Sequence, residues 1–173
     1  MSLQAGDEVA VIETAKGRIV LEFYEDVAPN HVANFKKLAR EGFFDGTRFH
    51  RVIPGFVIQG GDPHTKDLGK RSLWGTGGPD ERVLAEFNSV PHKRGILSMA
   101  RSSDPHSAGS QFFVCVADVP SLDNQYTVFG NVVEGMDAVD AIVQTPTTDR
   151  NGTVVPEQAV AMDRVEIRTW PLD

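Results

Sequence analysis

The chain has 173 residues, a mass of 18.9 kDa and a formal net charge of −7. Its hydrophobic fraction of 40% and charged fraction of 24% are typical of a globular domain and exclude a disordered or membrane protein. The acidic balance disfavours a general nucleic-acid binder, which usually presents a basic face. No apolar run approaches the roughly 18 residues of a membrane span. We therefore expect one domain over residues 1–173, a cytoplasmic monomer with no nucleic-acid or membrane partner.

The first part of the chain predicts a hairpin followed by a helix. Residues 9–14 and 18–24 are rich in β-branched side chains, and Gly17 between them can adopt the positive φ of a tight turn. Pro29 then favours the start of a helix, and Gly42 favours its end. Between them, apolar residues recur at helical spacing: Val32, Phe35, Leu38 and Ala39.

The remainder alternates short strand patterns with connections rich in glycine and proline. Strands are predicted at 49–54, 56–60, 95–100, 111–117, 127–134 and 160–168. A second helix follows Gly135 and ends before Pro146. About eight strands and two helices without regular alternation favour an antiparallel barrel or sandwich. The segment 61–94 is far longer than an ordinary loop, which indicates a functional or self-packed region.

Three sequence features suggest chemistry but lack the context that it needs. Gly75–Gly78 continues into Pro79 and acidic residues instead of opening a helix, which disfavours a phosphate loop. Ser110 has no second glycine of a nucleophile elbow after it. His50, Asp62, His64, His92 and His106 match no compact metal-ligand spacing. The single cysteine, Cys115, lies in an apolar run and indicates a buried side chain.

The run QFFV is more informative, because strand alternation places Gln111 and Phe113 on one face and Phe112 and Val114 on the other. One aromatic side chain would serve the core while the other accompanies a polar amide. The run FHRVIPGFVIQGGD at 49–62 has the same mixed character, with Arg51 and Gln59 interrupting an apolar pattern.

Four separated motifs together resemble the cyclophilin family of peptidyl-prolyl cis-trans isomerases. They are FHRVIPGFVIQGGD, GTGG at 75–78, LSMAR with SAGSQFFV within 97–114, and LDNQYTVFGNVVEGMDAVD at 122–140. They occur in the family's order and approximate spacing. The run SSDPHSAGSQFF and the short loops resemble bacterial members.

The resemblance implies a mainly β fold, a closed eight-stranded antiparallel barrel capped by two α-helices, with a peptide groove on its outer face. It implies that Arg51 is catalytic, although a partly buried arginine can also be half of a structural ion pair. The implied substrate-binding residues are His50, Phe56, Val57, Gln59, Ala100, Arg101, Gln111, Phe113, Leu122 and Tyr126. Residues 75–77 and 101–110 would shape an adjoining pocket for residues before the proline.

The implied activity is rotation of X-Pro bonds in peptides and unfolded protein clients, assisting folding without a cofactor or a metal. A scaffold that only binds peptides is the alternative, and the presence of Arg51, Phe56, Gln59 and Phe113 disfavours it. Ser121 stands where many family members have a tryptophan, and Val57 and Tyr126 replace a frequent methionine and histidine. We expect the loss of the indole to weaken binding of cyclosporin A.

Overall fold

The computed structural model describes residues 3–172, which form eight strands and two α-helices. The strands are β1 Glu8–Thr14, β2 Gly17–Phe23, β3 Arg51–Ile53, β4 Val57–Gly60, β5 Ile96–Met99, β6 Phe112–Cys115, β7 Val128–Glu134 and β8 Arg164–Thr169. The helices are α1 Pro29–Arg40 and α2 Met136–Ile142. Every predicted strand and helix is present. Strands β3 to β6 are shorter than predicted, and β8 begins at Arg164 instead of 160, because the residues at their ends lie outside the regular strands.

All eight strands belong to one antiparallel sheet, in the order β3-β4-β6-β5-β7-β2-β1-β8. The sheet curls so that one face encloses the main apolar core. This core contains Phe35 of α1, Val139 of α2, and the inward side chains of the strands, among them Leu97, Phe112 and Phe129. The mainly β fold of eight antiparallel strands and two α-helices expected from the sequence is confirmed.

The expectation of a closed barrel is wrong for the regular strands, because no pairing joins the end strands β3 and β8 within residues 3–172. The free edge of β3 is occupied by the segment 152–154 instead. Val52 N donates to Gly152 O at 2.9 Å, and Val154 N donates to His50 O at 3.2 Å. The sheet is therefore an open, curled one.

Hydrogen bonds outside the strands join its two ends. Phe49 N donates to Val160 O at 2.9 Å, and Met162 N donates to Thr47 O at 2.7 Å. This seam precedes β3 and β8 in the chain and holds the sheet in its curled shape.

A smaller apolar cluster lies on the outer face of the sheet. Its buried members are Val57, Ile96, Phe113, Cys115 and Val128, and partly buried side chains that include Phe56, Leu122 and Tyr126 pack against them. Apolar side chains on the outward face of a sheet usually mark a contact or binding surface.

The segment 61–94 contains two short 3₁₀-helices, Pro63–Lys66 and Leu68–Leu73, and is otherwise irregular. Polar side chains hold it in place. Asp62 is fully buried, and its carboxylate accepts hydrogen bonds from the backbone N–H groups of His64, Gly75 and Gly77. No helix in the described part of the chain is both long enough and apolar enough to cross a membrane.

Candidate active site

Three neighbouring strands place a guanidinium, an amide and an aromatic ring side by side on the outer face of the sheet. Arg51 of β3 is the register partner of Gln59 of β4, and Gln59 is the partner of Phe113 of β6. Because side chains alternate along a strand, the intervening Val52 and Ile58 point into the main core. The sequence pattern predicted this division, and the structure places each of these residues accordingly.

The Arg51 guanidinium is held by neutral groups only. Its Nε donates to the backbone carbonyl of Asn151 at 2.8 Å, and its Nη1 donates to Gln59 Oε1 at 3.3 Å. No carboxylate pairs with Arg51 among residues 3–172. The interpretation of Arg51 as half of a structural ion pair is therefore wrong, and its positive charge faces the groove without a counter-ion.

A chain of amides fixes the orientation of Gln59. The guanidinium can only donate, so the Gln59 carbonyl must face Arg51 and its amide group must face away. That amide donates to Gln111 Oε1 at 3.1 Å, and Gln111 Nε2 donates at 3.0 Å to the carbonyls of Gly75 and Gly77. The same two glycines donate their N–H groups to buried Asp62. The arginine is thus coupled through two side chains to a rigid turn.

A cavity of about 400 Å³ with one apolar side opens beside Arg51, within the roughly 300–1,000 Å³ range of ligand pockets. We call it the proline pocket, after the residue that the family resemblance predicts to bind there. The ring of Tyr126 stands edge-on to the ring of Phe113, with their centroids 5.7 Å apart. The apolar lining consists of Phe56, Val57, Ala100, Phe113 and Leu122. A compact apolar ring fits such a cavity while its polar backbone remains at the mouth.

Phe113 is supported from beneath by a buried histidine. The ring of His92 lies parallel to that of Phe113 at 6.0 Å between centroids. His92 Nδ1 lies 3.1 Å from Asp123 Oδ1, and His92 Nε2 lies 2.9 Å from Ser98 Oγ. Burial lowers the pKa of His92, which favours a neutral ring, and a neutral ring can donate from Nδ1 to the carboxylate.

This Ser98, His92 and Asp123 arrangement has the order of contacts found in hydrolytic triads, but it cannot act as one. Ser98 is fully buried in the sheet, and a nucleophile must reach a substrate carbonyl. Its hydroxyl also lies 3.0 Å from the carbonyl of Thr127. The three residues are a structural support for the pocket wall.

His50 lies at the edge of the proline pocket, but it carries no charge there at neutral pH. Burial lowers the pKa of His50 to about 4. Its Nδ1 is buried and has no hydrogen-bond partner. The side chain therefore contributes a neutral wall to the cavity.

The structure brings together all of the residues that the sequence resemblance selected. Ten of them line the proline pocket: His50, Arg51, Phe56, Val57, Gln59, Ala100, Arg101, Phe113, Leu122 and Tyr126. Gln111 lines a second cavity that shares Gln59, Gly75, Ala100 and Arg101 with the first, and we call this the adjoining cavity. Arg101 lies over the ring of Tyr126 at 4.8 Å and so links the two cavities.

Six further residues of the proline pocket were not identified from the sequence: Arg71, Trp74, Asn151, Thr153, Val154 and Pro156. They come from the second 3₁₀-helix of the segment 61–94 with its C-cap residue, and from the loop that covers β3. The Asn151-Gly152 pair was a visible turn signal. It gave no indication of which strand the turn approaches.

The other chemical interpretations find no support in the geometry. Ser110 is buried and its hydroxyl donates to Gly61 O at 2.7 Å, so it is not activated as a nucleophile. The N–H groups of Gly75 and Gly77 are engaged by Asp62, so they do not form a phosphate cradle. Burial raises the pKa of Cys115 to about 12, as a buried, unreactive thiol requires. The described residues contain no cluster of three side chains arranged to hold a metal ion.

Comparison with known proteins identifies the family to which the chain is similar. Residues 9–167 match the family model described as cyclophilin type peptidyl-prolyl cis-trans isomerase/CLD. A probable peptidyl-prolyl cis-trans isomerase of Brucella abortus is 43% identical over 158 residues, covering 89% of this chain and 81% of the relative. The corresponding isomerase of Synechococcus elongatus is 42% identical over 154 residues, covering 89% and 97%.

A solved structure is similar over nearly the whole chain. The Cryptosporidium parvum cyclophilin type isomerase, crystallised in the presence of the dipeptide Ala-Pro, superposes with a TM-score of 0.81 at 29% identity and covers 93% of this chain and 99% of its own. Family match, sequence relatives and fold all indicate the same family. The chain belongs to the cyclophilin-type peptidyl-prolyl cis-trans isomerase family.

Proposed function

We propose that Arg51 is the catalytic residue of this isomerase and that the proline pocket holds the ring of the proline whose preceding peptide bond rotates. The substrates would be proline-containing peptides and flexible segments of protein clients, acted on by a monomer. The observation that carries this proposal is the uncompensated guanidinium of Arg51 at the mouth of an apolar cavity.

The chemical problem is the resonance of the amide bond. An X-Pro bond isomerises in tens of seconds or more, because partial double-bond character gives a barrier of about 20 kcal/mol. In the twisted state the nitrogen lone pair is localised and becomes a good hydrogen-bond acceptor. A guanidinium aimed at that nitrogen stabilises the twisted state far more than the planar ground state, and such a difference accelerates the reaction.

The surroundings of Arg51 suit this task. The Asn151 carbonyl and the Gln59 amide fix the guanidinium without neutralising it. The apolar walls exclude water, which strengthens the remaining interaction. A thousandfold acceleration requires about 4 kcal/mol of differential stabilisation. One charged hydrogen bond in a partly dry site supplies much of that amount.

Exchange of Arg51 is the direct test. We expect Arg51→Ala to lower kcat/KM for a proline peptide by about a hundredfold or more, the usual effect of removing one such donor. Arg51→Lys should recover only part of the loss, because an ammonium lacks the planar fork that the Asn151 carbonyl and Gln59 hold. NMR exchange spectroscopy on a short X-Pro peptide measures the rate without a coupling enzyme.

Arg18→Ala is the matched control, since Arg18 is an exposed arginine whose side chain pairs with Glu13, at 3.4 Å. It should retain the parent rate. Peptide affinity should change only a few-fold in Arg51→Ala. Equal rates for Arg51→Ala and the parent would contradict the proposal and favour a module that only binds peptides.

The same site is proposed to bind cyclosporin A weakly. Ser121 is exposed in the 3₁₀-helix Pro120–Leu122, next to Leu122 of the proline pocket. A serine offers the ligand neither the apolar area nor the N–H donor of an indole. An inhibition constant in the nanomolar range would contradict this expectation.

A further inference from the structure

The adjoining cavity continues the groove beyond the proline pocket and differs from it in polarity. Its walls are the turn at 75–79, the strand end at 100–102 and the residues 107–111, together with Gln59 and Arg82. Most of these groups are backbone amides and hydroxyls rather than apolar side chains. Because the two cavities share four residues, one extended peptide can occupy both.

The charge of this groove is opposite to that of the chain. Four arginines line the two cavities, Arg51, Arg71, Arg82 and Arg101, and no aspartate or glutamate of the described residues does. The chain as a whole carries a net charge of −7, with 24 acidic side chains. A cleft lined by one sign of charge attracts ligands of the other sign.

Two of these arginines are available to a ligand in the adjoining cavity. Arg101 donates to the carbonyls of Gln125 and Ser102, which leave its charge uncompensated. Arg82 is exposed and makes no hydrogen bond or ion pair within residues 3–172. Arg71, in contrast, is paired with Glu157.

The acidic groups nearest to this cavity are directed elsewhere. Glu81 pairs with Lys37 at 3.9 Å and lines a neighbouring depression, which Arg82 also borders, but not the adjoining cavity. Asp62 lies fully buried behind the turn at 75–77, where three backbone N–H groups satisfy it. Asp80 and Asp104 belong to the neighbouring loops and do not line the cavity.

We propose that the adjoining cavity binds an acidic side chain of the substrate, with Arg82 and Arg101 as its recognition groups. Preferred clients would carry glutamate or aspartate two or three residues before the proline. This inference rests on the proposed function, since it assumes that the proline occupies the proline pocket. It identifies a class of substrate that the fold alone does not define.

Three acetyl-capped peptides that differ only at the second residue before the proline test this directly: Glu, Gln and Lys. At low salt we expect kcat/KM to be about fivefold higher for the Glu peptide than for the Gln peptide, the upper end of what one solvent-exposed ion pair contributes. The Lys peptide should be the poorest. Added salt should reduce the differences, because exposed charges are screened beyond about 10 Å at 0.1 M.

The variants Arg82→Gln and Arg82→Glu assign the preference to a residue. In Arg82→Gln, the ratio of kcat/KM for the Glu peptide to kcat/KM for the Gln peptide should fall towards one. In Arg82→Glu, the Lys peptide should have the highest kcat/KM. Arg40→Gln is the control, because Arg40 is an exposed arginine of α1 that pairs with Glu8. For Arg40→Gln, the ratio of the two kcat/KM values should equal that of the parent protein.

Fluorescence anisotropy with labelled versions of the same peptides separates this inference from the proposed function. If no peptide is isomerised but the Glu peptide still binds best, catalysis by Arg51 is contradicted and the acidic-site inference is supported. Equal binding and turnover of the Glu and Lys peptides by the parent protein at low salt would overturn the inference. A preference that survives unchanged in Arg82→Gln would also overturn it.

Discussion

The direction of the Arg51 side chain depends on a backbone atom 100 residues further along the chain. Gly152 makes this possible. Its φ is +82°, a region that favours glycine, and a Cβ there would lie 2.4 Å from the carbonyl oxygen of Val52. Only glycine therefore allows the segment 151–154 to lie against β3 and to present the Asn151 carbonyl to the guanidinium.

We expect Gly152→Ala to lower both stability and activity. The positive φ alone costs about 1–2 kcal/mol, and the contact with Val52 must push the segment away from β3. The Asn151 carbonyl would then leave Arg51, and kcat/KM should fall about tenfold or more. Urea denaturation and the isomerisation assay measure the two effects.

Gly6→Ala is the matched control, because Gly6 also has a positive φ, +98°, but its Cβ would meet nothing within 4 Å. It should lose about 1 kcal/mol of stability and keep its activity. If the two variants were equally active, the position of Asn151 would be irrelevant to Arg51.

The sequence predicted the side chains that line the site, but not the groups that hold those side chains in position. Strand alternation separated Arg51 and Gln59 from the core residue Val52, because a period of two is local information. The Asn151 carbonyl carries no side-chain signal. His92 looked like one histidine among five, since nothing in its neighbourhood indicates that it lies beneath Phe113.

At the scale of elements, the segment 61–94 shows how a chain without regular hydrophobic spacing is still ordered. Asn88 Nδ2 donates to the carbonyls of Glu86 and Val128, both at 3.0 Å. Glu86 in turn caps α1, whose own N-cap residue, Ala28, has no side-chain acceptor. Its carboxylate accepts from the backbone N–H of Asn30 at 3.2 Å and of His31 at 2.8 Å. Periodicity predicted the helix, but a cap from 55 residues away has no local pattern.

Loss of this cap should destabilise the protein. Glu86→Ala would leave two N–H groups of α1 and the buried His31 ring without their acceptor. We expect the free energy of unfolding to fall by about 1–3 kcal/mol. Glu81→Ala removes a neighbouring but exposed carboxylate and should change stability by less than about 0.5 kcal/mol. Equal urea midpoints for the two variants would contradict the role of Glu86 as a cap.

For the whole molecule, the sequence predicted the number of strands but not how the sheet ends. Each strand is a local pattern, whereas the seam between 46–49 and 160–162 joins segments more than 100 residues apart. Gly60 sits at this seam, where a Cβ would lie 2.7 Å from the terminal carbon of the Met162 side chain. Such a close approach is visible only in three dimensions.

Three buried histidines give the whole fold a pH dependence. His31, His50 and His92 are each less than one-tenth exposed, and in each case burial is the main cause that lowers the pKa. The unfolded chain binds protons on these residues near pH 6.5, while the folded chain does so only at lower pH. Protonation therefore favours unfolding, and stability must fall as the pH decreases below about 6.5.

For His50, whose folded pKa is about 4, the loss between pH 6.5 and 5 is 1.5 pH units at about 1.4 kcal/mol each, or about 2 kcal/mol. Carboxylates with lowered pKa values, such as Glu8 and Asp140, reduce stability only at a lower pH, below about 4.5. Urea denaturation at pH 7.5, 6.5 and 5 therefore measures the effect of the histidines on stability separately from that of the carboxylates. In the His50→Gln variant, the free energy of unfolding should fall by about 2 kcal/mol less than in the parent when the pH is lowered to 5. A free energy of unfolding that stayed constant from pH 7.5 to 5 would show that these rings do not resist protonation in the folded state.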